Sequence, residues 1–263
     1  MRITVLGSGT SHGVPSIGCD CAVCRSTDPR DRRTRPSILI EPDVVSGPAA
    51  AQLVRSILVD TSTDLRAQAL THDIRRVDAI LFTHTHADHV FGLDDVRRFN
   101  QMQRGAIPCY ADARAVVELR RTFSYIFEPP QQQGGGLPQL SLFQIGGTFT
   151  LGSVDIVPVP LLHGALPILG FRIGAFAYLT DCNHIPDASW PLLDGVRTVI
   201  VDALRHRRHS THFSVAEALE VVTRLGAERA YFTHICHDLP HAETCAQLPA
   251  GVELAYDGLV LTV

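Results

Sequence analysis

Short apolar runs broken by polar turns set the rhythm of this chain. RITVL (2–6), SILIE (37–41), RSILVD (55–60) and VDAILF (77–82) are rich in Ile, Leu and Val and bounded by Gly, Pro, Asp or Thr. That length and composition predict strands. TFTL (148–151), VDIVPVP (154–160), LGFRI (169–173), AFAYLTD (175–181), TVIVDA (198–203) and RAYFTH (229–234) continue the series. The loop PDVVSGPAAAQ between SILIE and RSILVD predicts a hairpin, and the residues after RAYFTH read as a hairpin-like tail. Helical spacing is confined to four stretches. DLRAQALTHD (64–73) and residues 112–122 predict short helices, and DHVFGLDDVRRFNQM (88–102) puts Val90, Leu93 and Val96 roughly on one face. Residues 214–225 open with Ser214 and Glu217 at capping-box spacing and stop at Gly226. EPPQQQGGGLPQ (128–139) is too dense in Pro and Gly for regular structure. Strands, then a helix, then the same pattern again predict an α+β fold of two face-to-face sheets with helices outside. No linker divides residues 1–263, which read as one domain.

Composition narrows the function classes. The chain has 263 residues, 45% hydrophobic and 19% charged, as in an ordinary globular protein. It carries 27 acidic against 23 basic residues, and every basic residue is Arg. A nucleic-acid surface usually shows a clustered basic excess, so nucleic acid is not the expected partner. No apolar run approaches the ~18 residues that span a bilayer, and MRITVLGSGT has no signal-peptide core. The expectation is a cytoplasmic protein without a membrane partner. In a reducing compartment, clustered cysteines more often bind metal than form bridges.

Residues with metal chemistry gather where apolar runs end. THTHADH (83–89) follows VDAILF directly. His84 and His86, two apart, reach the same side of an extended segment. Asp88 and His89 come after the chain turns and can face a second centre. Imidazole and carboxylate donors this dense suit two adjacent ions of zinc, manganese or iron. His163 after VDIVPVP, Asp181 ending AFAYLTD and His234 ending RAYFTH would be gathered along one sheet edge. GCDCAVC (18–24) places Cys19, Cys21 and Cys24 together, one ligand short of a tetrahedral zinc site.

H-x-H-x-D-H followed at long intervals by His, Asp and His resembles the metallo-β-lactamase superfamily over nearly the whole chain. The resemblance implies an αβ/βα four-layer sandwich with metals at one edge of the sheets. It implies His84, His86 and His163 on a first ion, Asp88, His89 and His234 on a second, and Asp181 between them. Asp60, ending RSILVD, matches the family's early Asp and is expected to orient a ligand histidine. An Asp at the position of Asp181 points away from true β-lactamases, to the hydrolase branches. Cys19, Cys21 and Cys24 resemble the Cys-x-Cys-x-x-Cys of PhnP-type phosphodiesterases, which act on phosphoribosyl cyclic phosphate. There a His three residues after the last active-site His completes a structural zinc site, and His237 stands at that distance from His234. Cys236 is the rival ligand, since Cys₄ is equally good zinc chemistry. The resemblance also implies His212 as proton donor to the leaving oxygen, with Asp202 to orient it.

Together these readings predict a phosphodiesterase with two active-site divalent ions, zinc or manganese, and one structural zinc. Its substrate would be a small anionic phosphodiester, a cyclic one such as phosphoribosyl 1,2-cyclic phosphate. A homodimer is a family-level expectation. Loop 128–139, with Tyr125 and Phe127, offers either a pocket wall or structural cover. Three alternatives stay open. A tRNA 3′-processing nuclease would need a basic arm, which the chain lacks; a lactonase would not need a donor like His212; a PqqB-type carrier would lack a full ligand set.

Overall fold

The computed structural model describes residues 1–43, 54–128 and 136–263. β1 (Arg2–Gly7), β2 (Ser37–Glu41), β3 (Ile57–Val59), β4 (Ala79–Leu81), β5 (Ile107–Ala111) and β6 (Leu140–Gln144) lie side by side in a first sheet. β7 (Phe149–Leu151), β8 (Val154–His163), β9 (Leu166–Ile173), β10 (Phe176–Leu179), β11 (Thr198–Asp202), β12 (Arg229–Thr233) and β13 (Val252–Leu254) form the second. β14 (Val260–Thr262) returns to the first sheet beside β1. Each sheet changes character midway. The first is antiparallel from β14 to β3 and parallel from β3 to β6. The second is antiparallel from β7 to β10 and parallel from β10 to β13. Parallel neighbours need crossover connections, and helices fill them. α1 (Leu65–Thr71), α2 (Ala87–Val90), α3 (Arg97–Gln103), α4 (Ala113–Thr122) and α5 (Ser124–Phe127) serve the first sheet; α6 (Val215–Leu225) and α7 (His241–Gln247) serve the second.

Period-two alternation decides the layers. Ile3, Val5, Ile38, Ile40, Ile57 and Val59 face the second sheet and meet Phe171, Phe176, Tyr178 and Ile200. The alternate residues Leu39, Leu58, Ile80 and Phe82 face outward, under Leu93, Val96, Phe99 and Leu119. On the other outer face, Leu179, Val199, Val201 and Phe232 meet Val215, Ala218, Val221 and Val222 of α6. Each fully buried Ile or Leu contributes roughly 1.5–3 kcal/mol. Three apolar seams require four layers, and the result is the expected α+β sandwich. α6 begins and ends as its sequence dictates: Ser214 and Glu217 form a reciprocal capping box, and Gly226 closes the helix at φ 64°.

Several local expectations are corrected. The tail is not a hairpin: β13 pairs with β12 in one sheet and β14 with β1 in the other, so the last residues stitch the sandwich together. The helix expected over 88–102 is broken into α2, a 3₁₀ turn at Leu93–Val96 and α3. Gly92 lies at the break, where it lets the Ser62 carbonyl approach: a Cβ there would sit 2.1 Å from it. β5, β6 and α7 were not anticipated. β2 and β3 do pair as a hairpin, although residues 44–53 of its loop lie outside the described residues. So do residues 129–135, and with them most of the suggested pocket wall. Tyr125 donates to Asp94 at 3.0 Å, and Arg120 lies over the Phe127 ring. No helix among the described residues is long and apolar enough to cross a membrane.

Candidate metal centre

The strand ends of the two sheets meet at one edge, where Leu169 N donates to Thr83 O at 3.0 Å. Three residues leave their strands through left-handed backbone: Asp60 (φ 63°), Asp181 (φ 57°) and His234 (φ 59°). That conformation costs a non-glycine residue roughly 1–2 kcal/mol. It recurs where a site demands a side chain aimed across a strand end.

The predicted residues converge around Asp181. Asp181 Oδ2 is 3.5 Å from His84 Nε2 and 3.3 Å from His89 Nε2, while its Oδ1 is 2.9 Å from His234 Nε2. Asp88 Oδ2 is 3.5 Å from both His89 Nε2 and His234 Nε2. The donor atoms of Asp88, His89, Asp181 and His234 all lie within 4.8 Å of one another, and so do those of His84, His86 and Asp181. His163 stands farther off. Its ring centroid is 5.1 Å from that of His86 and 5.8 Å from that of His84, and it joins neither tight group. His86 is exposed; the others are buried.

Hydrogen bonds behind the rings set their tautomers. His89 Nδ1 donates to Asp60 Oδ2 at 2.7 Å. Asp60 also accepts from Thr83 N and Thr83 Oγ1, each at 2.8 Å. With its only hydrogen spent on Asp60, the Thr83 hydroxyl can accept from His84 Nδ1 at 3.0 Å. His163 Nδ1 donates to Thr211 O at 2.8 Å, and His212 Nδ1 to Asp202 Oδ2 at 2.8 Å. Each ring therefore keeps its Nε2 for the site. Asp60 sits where the sequence put it, behind a histidine. Thr83 and Thr211 were missed, since a hydroxyl and a carbonyl leave no metal-type signature.

The pocket is built to hold positive charge. Nε2 of His84, His89 and His234 and Oδ2 of Asp88 are buried without a hydrogen-bond partner among the described residues. Ligands 2.0–2.1 Å from a tetrahedral zinc stand about 3.3 Å apart, close to the separations measured. Burial opposes ionisation of Asp88 and Asp181, yet the histidines beside them hold both below the usual carboxylate range. Burial likewise opposes a charged His234, but Asp181 and Asp88 push it up to about 10, and the same carboxylates with Asp60 raise His89. The lone pairs, spacing and field all fit divalent cations.

A second cluster lies behind the first. Sγ of Cys19, Cys21 and Cys24 lie 3.2, 3.5 and 3.4 Å from His237 Nδ1. Zn–S and Zn–N bond lengths predict about 3.5 Å for such a pair around tetrahedral zinc. Cys236, the rival, turns away, its sulfur accepting from Asp238 N at 3.3 Å. The backbone N–H of Cys24 lowers the Cys21 pKa to about 7, whereas burial raises that of Cys24 to about 11. Arg33 braces the segment from below, donating to Cys236 O at 3.0 Å and Leu239 O at 2.7 Å.

Residues 55–235 match the beta-lactamase superfamily domain. The crystal structure of a new diphosphatase from the PhnP family superposes with TM-score 0.89 at 44% identity, covering 99% of this chain and 97% of that one. Zinc-bound PqqB from Methylobacterium extorquens superposes with TM-score 0.72 at 19% identity over the full length of both, a likeness of fold. An octanoyltransferase of Porphyromonas gingivalis is 37% identical over 261 residues, 98% of this chain. The chain spans about half the length of that curated relative, 51%.

Proposed function

The chain belongs to the beta-lactamase superfamily, within it to the PhnP family, and carries the metal-dependent hydrolase fold; on that premise we propose that it hydrolyses a small phosphodiester or diphosphate. The observation that carries the reading is the convergence of unpartnered His and Asp donors on Asp181. His84, His86, His163 and Asp181 would hold one divalent ion, and Asp88, His89, His234 and Asp181 the other. Cys19, Cys21, Cys24 and His237 would hold a structural zinc. When bound, the active-site pair supplies an activated water near neutral pH and positive charge opposite the phosphoryl oxygens.

The chain's own residues do the rest. Asp60 and Thr83 keep the Nε2 lone pairs of His89 and His84 facing inward. Asp202 holds Nδ1 of His212, and the opposite nitrogen faces the site beside His234, whose ring stacks on it at 4.6 Å. As the water oxygen bonds to phosphorus, losing one proton to solvent, and the P–O bond to the leaving group breaks, His212 gives its Nε2 proton to the departing oxygen. Asp202 stabilises the imidazolium before that transfer. The buried His212–Asp202 pair favours a leaving group that needs a proton, which supports an ester or anhydride oxygen. The likeness to a diphosphatase supports phosphorus over carbon as the centre attacked. A cyclic phosphate such as phosphoribosyl 1,2-cyclic phosphate is one member of that substrate class.

The test is hydrolysis of bis(p-nitrophenyl) phosphate beside a lactone panel, with metal content measured on the same preparation and His86→Ala as control. Metal-dependent diester cleavage, lost in the variant, is the expected result. A fully metallated protein that opens lactones and leaves diesters intact would overturn the reading, and one inert to both would favour a carrier.

A further inference from the structure

The histidines of the centre are not held alike. Thr83 stands behind Nδ1 of His84, Asp60 behind that of His89 and the Thr211 carbonyl behind that of His163. The loop carrying Thr211 is itself tied down: Asn183 Nδ2 donates to Ser210 O at 3.1 Å, and Asn183 Oδ1 accepts from Gly164 N at 2.7 Å. His234 has no such partner but is enclosed, at 1% exposure. His86 has neither support. It is exposed, and its ring meets those of His84 and His163 edge-on, at 4.5 and 5.1 Å between centroids. Neither of its ring nitrogens has a hydrogen-bond partner among the described residues.

What the ring lacks, the chain on either side supplies. Thr85, between His84 and His86, is half-buried and donates from Oγ1 to Glu118 Oε2 of α4. Just past His86, the Ala87 carbonyl accepts from Thr63 Oγ1 at 3.1 Å, but Thr63 is exposed. The Glu118 contact is the better sheltered and is braced further. Glu118 Oε1 accepts from Arg114 Nε at 2.9 Å, one helical turn back. The carboxylate thus gives one oxygen to Thr85 and the other to Arg114, and these bonds, in that order, hold it below the usual carboxylate range. Ionised at neutral pH, it can only accept, so the Thr85 hydroxyl is the donor.

Helix α4 is well placed for such a brace. β4 and β5 run parallel, so both end at the edge where the metal donors gather. α4 starts directly after β5, capped by Asp112, whose side chain accepts from Ala115 N at 2.6 Å. Ala115 and Leu119 bury in the outer apolar seam. Glu118 is therefore presented by a packed helix and not by a loop, which is what a fixed position requires.

We propose that Glu118 is a positioning residue for the ion assigned to His84, His86, His163 and Asp181. Through the Thr85 hydroxyl it fixes the peptide between two of those ligands and so aims the exposed His86. Arg114 steadies Glu118 in turn. The inference rests on the metal-centre reading above and is independent of the substrate.

Zinc-loaded full chain, dialysed against a graded chelator series and assayed by elemental analysis, tests it. Glu118→Ala and Thr85→Val should each weaken one active-site ion about 10–100-fold, as for other groups that orient metal ligands. The second active-site ion and the zinc at Cys19, Cys21, Cys24 and His237 should be unaffected, an internal control within the same chain. Glu118→Gln, which keeps an acceptor for Thr85, should recover most of the loss. In a His86→Ala background, with no ligand left to aim, Glu118→Ala should add nothing. Unchanged affinity in both single variants, equal weakening of every ion, or a further loss in the His86→Ala background overturns the role. Wild type that holds only the cysteine-bound zinc would bring down the metal-centre reading itself, and the inference with it.

Discussion

Arg33→Met should destabilise the protein by about 4 kcal/mol. Arg33 is 1% exposed. Besides the Cys236 and Leu239 carbonyls it reaches Asp31 Oδ1 at 3.0 Å, and Asp31, itself 5% exposed, also accepts from His241 N at 2.8 Å. Methionine fills the space of the aliphatic stem but donates nothing. Three carbonyls, those of Cys236, Leu239 and Arg30, lose a donor, and the two buried ones, of Cys236 and Leu239, cost about 1–3 kcal/mol each. Asp31 loses its cation, and breaking one side of a buried pair costs about 3–5 kcal/mol. These terms overlap as the site relaxes, which brings the expected total to about 4 kcal/mol, or roughly 10 °C in Tm for a domain of this size. Adding Asp31→Asn removes the stranded charge while keeping an acceptor for His241 N, so the double variant should recover about 2 kcal/mol. Urea unfolding of the metal-replete protein, with m compared across the cycle, measures both numbers. A single variant within about 1 kcal/mol of wild type, or a double variant no better than the single, would refute the account of Arg33 as an ion-paired brace.

Three further outcomes are expected. Cys21→Ser should lower metal content by one zinc per chain and lower Tm, because the cluster joins the N-terminal loop to the segment after β12; unchanged zinc by elemental analysis would exclude the Cys₃His site. His212→Ala should cut kcat about 10²–10⁴-fold on a diester with a poor leaving group and much less on p-nitrophenyl esters, whose leaving group needs no proton; equal losses on both would remove His212 as the acid. His241 is 3% exposed, and burial lowers its pKa from 6.5 to about 4. The unfolded chain therefore binds a proton that the fold refuses between those values. Its contribution is intact above pH 6.5 and falls by up to about 3 kcal/mol as pH drops to 4. Stability against pH for wild type and His241→Phe should diverge in that window, and parallel curves would contradict the assignment.

Local sequence was sufficient wherever the governing interaction is local. Runs such as SILIE and VDAILF announced strands because alternate side chains must bury on both faces of a sandwiched sheet. Ser214, Glu217 and Gly226 announced a helix and its ends because capping is settled within one turn. THTHADH and GCDCAVC announced metal chemistry because several donors within a few residues have few other uses. Tertiary structure decided what depends on partners far along the chain. Valence treats Cys236 and His237 alike; the direction each takes after β12, with Arg33 holding the intervening carbonyls, brings His237 to the thiols. The tail carries two short runs that look like a hairpin, and only the free edges of two separate sheets draw them apart. Thr83, Asn183 and Thr211 have no signature, because a hydroxyl, an amide or a carbonyl acquires its role only from the ring or loop set against it. Likewise RHRRHST is a plain basic run in sequence. Folding alone pairs Arg207 with Asp238 and Arg208 with Glu217, which arrive from elsewhere in the chain, and leaves Arg205 without an ion pair among the described residues.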